Sequence, residues 1–96
     1  MQPGFDDGAW RQINLPHDWA IEGPVTRLGG GSMGRLPSAG IGWYRKKLNI
    51  PQADAGKLIF LEVDGAMSYA SVWLNGQVVG GWPFGYASWR LDVTHW

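Results

Sequence analysis

Residues 69–79 alternate in character. Ala70, Val72 and Leu74 fall on one face of an extended chain, and Tyr69, Ser71 and Trp73 on the other. Asn75-Gly76 then offers the two positive-φ positions of a type I′ turn, and Gln77-Val78-Val79 leads back, so the pattern predicts a β-hairpin. Residues 43–50 (WYRKKLNI) also alternate, with Tyr44, Leu48 and Ile50 opposite Arg45, Lys47 and Asn49. Lys46 interrupts the apolar face, which predicts a half-buried strand ended by Pro51. Residues 58–63 (LIFLEV) are apolar on nearly both sides and predict a central strand covered on both faces, closed by Asp64-Gly65. Residues 89–93 (WRLDV) read as one more short strand. Near the start, Asp6-Asp7-Gly8 marks a turn, and residues 10–15 form an extended run halted by Pro16. Residues 23–42 are glycine-rich without apolar periodicity and predict a long loop. Helix is favoured nowhere. Short strands at close spacing predict an all-β antiparallel sandwich or barrel.

Composition narrows the function classes. At 96 residues the chain is one domain at most. Eight basic residues balance eight acidic ones, which argues against nucleic acid or an anionic membrane surface as partner. Cysteine is absent, so neither a disulfide framework nor a thiolate metal site is expected, and the compartment stays open. Residues 1–20 hold no basic segment followed by an apolar run, so no signal peptide is expected within them. No apolar stretch approaches the roughly 20 residues needed to span a bilayer. Fifteen glycines and seven tryptophans fit short strands joined by tight turns around bulky rings.

The candidate chemistry is sparse. The acids are Asp6, Asp7, Asp18, Glu22, Asp54, Glu62, Asp64 and Asp92, and most flank glycines or strand ends, where Asp forms turns by bonding nearby backbone. That reading outweighs a catalytic carboxylate pair. Glu62 lies in an apolar run and is expected to face out or to meet a base such as Arg45. His17 and His95 are too few for a zinc site. His17 and Asp18 are expected to form a turn bonded to backbone. Gly29-Gly30-Gly31-Ser32 lacks the lysine and helix of a phosphate cradle. No cofactor is therefore expected in this chain. Trp82, Phe84, Tyr86 and Trp89 could stack on sugar rings, but packing a sandwich corner is the weightier reading. A free-standing carbohydrate-binding module and a purely structural interaction domain stay open as alternatives.

Six short motifs occur in order: LPHDW (15–19), GIGWYRK (40–46), LEVDG (61–65), VWLNG (72–76), GY (85–86) and DVT (92–94). Together, from Phe5 to Thr94, they resemble the N-terminal sugar-binding domain of glycoside hydrolase family 2, particularly its β-galactosidases. Two departures are small: Val63 stands where Phe is common, and Ala66 where Val is usual. The resemblance marks His17, Asp18, Trp19, Trp43, Tyr44, Arg45, Asp64, Asn75, Gly76 and Tyr86 as structural motif residues. It implies a galactose-binding-like jelly roll. It also implies a parent enzyme that hydrolyses β-galactosides or related β-glycosides with retention, through two glutamates on a TIM-barrel domain elsewhere in the parent. This chain is then non-catalytic. Its implied partners are that TIM-barrel domain, a β-galactoside-type carbohydrate and, in an oligomer, further copies of the parent.

Two further expectations follow from the resemblance. Residues 1–96 form a single but incomplete jelly roll lacking terminal strands, whose open edges favour self-association in isolation. The 23–42 loop can lean over the barrel's mouth, where Thr26, Arg27 and Arg35 would offer donors to sugar hydroxyls. An ordinary solvated loop is the weightier reading of those three.

Overall fold

The computed structural model describes residues 2–22 and 40–96. They divide into two compact units, residues 1–8 with 49–96, and residues 9–48. All four described strands lie in the first unit: β1 (Phe60–Val63), β2 (Ala70–Leu74), β3 (Gln77–Trp82) and β4 (Trp89–Asp92). They form two antiparallel two-stranded sheets, β1 with β4 and β2 with β3. The only regular helical pieces among the described residues are single 3₁₀ turns, Trp19–Ile21 and Gln52–Asp54. The chain is all-β and antiparallel, as its pattern predicts.

The β2–β3 hairpin forms where the alternation and turn residues place it. Asn75 and Gly76 adopt φ of 51° and 87°, the left-handed pair that a type I′ turn requires. Past the turn, Val72 pairs with Gly80 and Trp73 with Val78, so Val79 is an extra residue in β3 and makes a bulge. Gly80 sits just beyond it at φ 149°. A Cβ there would lie 2.7 Å from Leu91 Cδ2, so the missing side chain is what lets β3 approach β4. The two sheets meet at this point. The hairpin begins at Ala70 rather than Tyr69, because Tyr69 takes φ 57° and its N–H donates to the Pro83 carbonyl at 3.1 Å. A bulky side chain in that region is a strained choice, held here by the bond to residue 83.

The DVT motif fastens the other sheet. The Thr94 hydroxyl accepts the Ile59 N–H at 2.9 Å and donates to Asp92 Oδ1 at 2.6 Å, while the Thr94 N–H also reaches Asp92 Oδ1 at 3.0 Å. The Val93 N–H continues the pairing onto the Ile59 carbonyl at 2.9 Å. These bonds from Thr94, its hydroxyl first and its N–H second, hold the Asp92 carboxyl below the usual carboxylate range. Glu62 faces out, opposite Arg90 in the ladder. The Arg90 guanidinium lies 5.0 Å from the centre of the Phe60 ring, the diagonal cross-strand neighbour.

Three expectations are corrected. Residues 43–50 are not paired into a ladder among the described residues, and Leu48 and Ile50 are exposed. Alternation marks a strand only when a neighbour takes up its hydrogen bonds, and no described strand lies beside this run. Among the described residues β1 is not covered on both faces: it pairs on one side only, with Phe60 and Glu62 exposed and Leu61 and Val63 half-buried. Trp82, Phe84 and Tyr86 do not fill a corner; they are 46%, 57% and 75% exposed, because no described layer faces them. Phe84 and Tyr86 instead meet edge to face with centroids 5.8 Å apart. The alanine substitution at Trp82, which would cost about 3–5 kcal/mol in a closed core, is expected to cost about 1–2 kcal/mol at this half-exposed site, as a thermal or urea midpoint would show. Among the described residues only Ala20, 4% exposed, is buried.

Candidate functional site

The residues with the most connected chemistry lie in the 9–48 unit, around the first two motifs. Pro16 follows a cis peptide bond, and Asp18 then caps the 3₁₀ turn, its Oδ1 accepting the Ala20 N–H at 2.9 Å. Asp18 thus bonds backbone, as expected. His17 does not: its Nδ1 meets the Tyr44 hydroxyl at 2.8 Å and its Nε2 meets Glu22 Oε1 at 2.9 Å. The His17 and Tyr44 rings also stand edge to face, 5.7 Å apart. Arg11 Nη2 donates to Glu22 Oε2 at 2.5 Å and approaches His17 Nε2 at 3.4 Å. The result is a chain from Tyr44 through His17 to Glu22 and Arg11. It joins the LPHDW and WYRK motifs, which lie far apart in sequence.

Electrostatics follow from these bonds. The Arg11 hydrogen bond first, and the His17 bond second, hold the Glu22 carboxyl below its ordinary value of 4.5. A depressed carboxylate contributes stability that is complete above the unfolded value and is lost as pH falls through the folded one. The stability gap between the natural protein and Glu22→Gln is therefore expected at pH 6 and to close progressively below pH 4.5, as paired urea melts at each pH would show. Tyr44→Phe, which removes one neutral hydrogen bond and keeps the ring, is expected to cost about 1 kcal/mol in the same melts.

Beside this chain opens a cleft of about 260 Å³, lined by Trp10, Arg11, Ile13, His17, Trp19 and Trp43 together with Gly42 and Tyr44. Trp43 and Tyr44 remain about half exposed. A Cβ at residue 42 would lie 2.5 Å from Trp19 Nε1 and 2.7 Å from its Cδ1, so glycine at this place lets the indole lie flat on the backbone. The other motif residues, Arg45 apart, are scattered through the first unit. Asp64 ends β1 and its carbonyl accepts the Ser88 hydroxyl at 3.1 Å. Asn75 and Gly76 form the hairpin turn, and Tyr86 packs on Phe84. Arg45 is half-buried in the 9–48 unit. Thr26, Arg27 and Arg35 lie outside the described residues. The pairing of His17 with Glu22 and Arg11 is what reading the motifs missed. The 5-, 6- and 11-residue separations carry no helical or strand periodicity that would have shown it.

Residues 5–94 match the family model described as the β-galactosidase second all-beta domain. The chain belongs to this family. The β-galactosidase second all-beta domain is accordingly seen here as a domain of glycoside hydrolase family 2 proteins. Over 95 residues the chain is 46% identical to the β-galactosidase BoGH2A of Bacteroides ovatus, covering 97% of this chain and 11% of that protein. It is 32% identical over 88 residues to a β-glucuronidase of Bacteroides fragilis, with 91% and 12% covered. It is 28% identical over 92 residues to a β-glucuronidase of Formosa agariphila, with 94% and 9% covered. The second all-beta domain thus spans about a tenth of the length of these relatives.

Proposed function

We propose that this chain is a non-catalytic accessory domain that scaffolds the active-site domain of a retaining β-glycosidase, one that hydrolyses β-galactosides or related β-glycosides. What supports the reading is the structural employment of five of its eight acids. Asp6 accepts the Gly8 N–H, Asp18 caps a turn, Glu22 is clasped by Arg11 and His17, Asp54 pairs with Lys57, and Asp92 binds Thr94. A retaining glycosidase needs two carboxyl groups roughly 5–5.5 Å apart, one ionised for attack and one protonated for the leaving group. Glu22 and Asp92, whose carboxyls sit below their ordinary range, are the opposite of a general acid held protonated at neutral pH. This reading puts the chemistry on carboxylates of a catalytic domain elsewhere in the parent.

The names of the relatives support a β-galactoside or a β-glucuronide as the substrate class. The test is hydrolysis of aryl β-galactoside and aryl β-glucuronide by the full-length parent. Turnover of at least one is expected. No turnover of either, in a protein shown to be folded, would overturn the assignment.

A further inference from the structure

We infer that Glu22, His17 and Tyr44 form a proton relay that makes the Tyr44 hydroxyl a nucleophile, an acceptor site for acyl groups from activated aryl esters. A weak oxygen nucleophile is activated when its O–H meets a base and a third group orients that base. The structure places all three in line. The Tyr44 hydroxyl lies 2.8 Å from His17 Nδ1, and Glu22 Oε1 lies 2.9 Å from His17 Nε2. Acyl transfer to Tyr44 is separate from glycoside hydrolysis and needs no carboxylate of a catalytic domain.

The partners fix the tautomer. An ionised carboxylate only accepts, so Nε2 carries the imidazole proton towards Glu22 and leaves the Nδ1 lone pair for the Tyr44 O–H. Arg11 secures this arrangement from outside. It donates to Glu22 Oε2, leaves Oε1 to His17, and with His17 holds the Glu22 carboxyl in its ionised form. Arg11 Nη2, 3.4 Å from His17 Nε2, faces it donor to donor and takes no lone pair there. The His17 side chain is only 14% exposed, so water has little access to the base. His17 and Tyr44 both line the cleft of about 260 Å³, which gives a small ester a seat beside the hydroxyl.

In the step itself, the Tyr44 oxygen attacks the ester carbonyl carbon and forms a new carbon–oxygen bond, while the bond from that carbon to the aryloxide breaks. The phenolic proton passes to His17 Nδ1. Glu22 stabilises the resulting imidazolium until the proton leaves with the aryloxide as a free phenol. Nothing is oxidised or reduced, and Tyr44 ends as an O-acyl ester.

Exposure supplies an internal control. Tyr69 and Tyr86 are 81% and 75% exposed against 48% for Tyr44, and among the described residues neither of their hydroxyls meets a histidine. Access alone would therefore label them ahead of Tyr44. The experiment is a time course of acetylation of the full-length protein by p-nitrophenyl acetate, read residue by residue from peptide masses. Tyr44 is expected to acetylate at least about tenfold faster than Tyr69 or Tyr86. His17→Asn keeps an acceptor near the place of Nδ1 but no base, and should slow Tyr44 at least about tenfold with the other two tyrosines unchanged. Glu22→Gln, whose amide can donate to Nε2 and favour the opposite tautomer, should lower the Tyr44-to-Tyr69 rate ratio. A merely structural role would leave that ratio unchanged in a variant whose melting curve shows it folded. A margin below about tenfold in the natural protein would overturn the relay, and so would a natural Tyr44 rate in His17→Asn. An unchanged ratio in folded Glu22→Gln would remove Glu22 from it.

Discussion

Gly81→Ala is expected to destabilise the domain by about 3 kcal/mol. Gly81 lies opposite Ser71 in the β2–β3 ladder. A Cβ at residue 81 would overlap the Ala70 carbonyl oxygen and lie 3.0 Å from both the Ala70 carbonyl carbon and the Ser71 Cα. All three atoms are backbone of the paired strand, so no rotamer change relieves the overlap. The strands must separate, and the ladder bonds at that level are lost with them. Gly8→Ala is the contrasting case, since its nearest neighbour is the Asp6 carboxylate at 3.1 Å, a side chain able to swing away. Urea midpoints of the two variants should differ clearly, with Gly8→Ala within about 1 kcal/mol of the natural protein. Equal midpoints would show that the β2–β3 register is wrong.

Thr94→Val is expected to cost about 2 kcal/mol. Valine keeps the branched shape and removes the hydroxyl that accepts the Ile59 N–H and donates to Asp92. The part-buried Ile59 N–H then loses its side-chain acceptor next to the first residue of β1, and the cost is the desolvation of an unmet donor rather than the modest net value of a bond. Thr94→Ser keeps the hydroxyl and should recover most of the loss. The same melts check both, and a Thr94→Ser midpoint as low as that of Thr94→Val would show that the methyl group, and not the hydroxyl, does the holding.

The hairpin was legible because its requirements are local. Two adjacent positive-φ positions have few solutions, and Asn75-Gly76 is one of them. The β4 strand and its DVT ending were legible for a similar reason, since Asp and Thr two residues apart bond each other's backbone and side chain. What escaped reading depends on partners. Residues 43–50 alternate as well as residues 69–74 do, yet only the latter have a strand beside them. Exposure of Trp82, Phe84 and Tyr86 was illegible because an aromatic-rich turn looks alike whether a second layer covers it or not. In the candidate site, Asp18 was readable as a cap. The contact of His17 with Tyr44 spans 27 residues, and nothing in either motif specifies it.

The Tyr44–His17–Glu22–Arg11 chain ties the LPHDW and WYRK motifs together by side-chain bonds. The acids of the first unit meanwhile serve turns and an ion pair.

The measurement that bears most directly on the central claim is the turnover of aryl β-galactoside and aryl β-glucuronide by the full-length parent carrying Glu62→Gln and Asp64→Asn together. Glu62 lies in β1 and Asp64 directly after it, and neither lines the cleft. The account predicts kcat within about twofold of the natural protein, because neither carboxylate takes part in the chemistry. A loss of about 10²–10⁴-fold, the scale of a missing acid–base group, in a variant with an unchanged melting midpoint would place catalysis inside this domain and contradict the account.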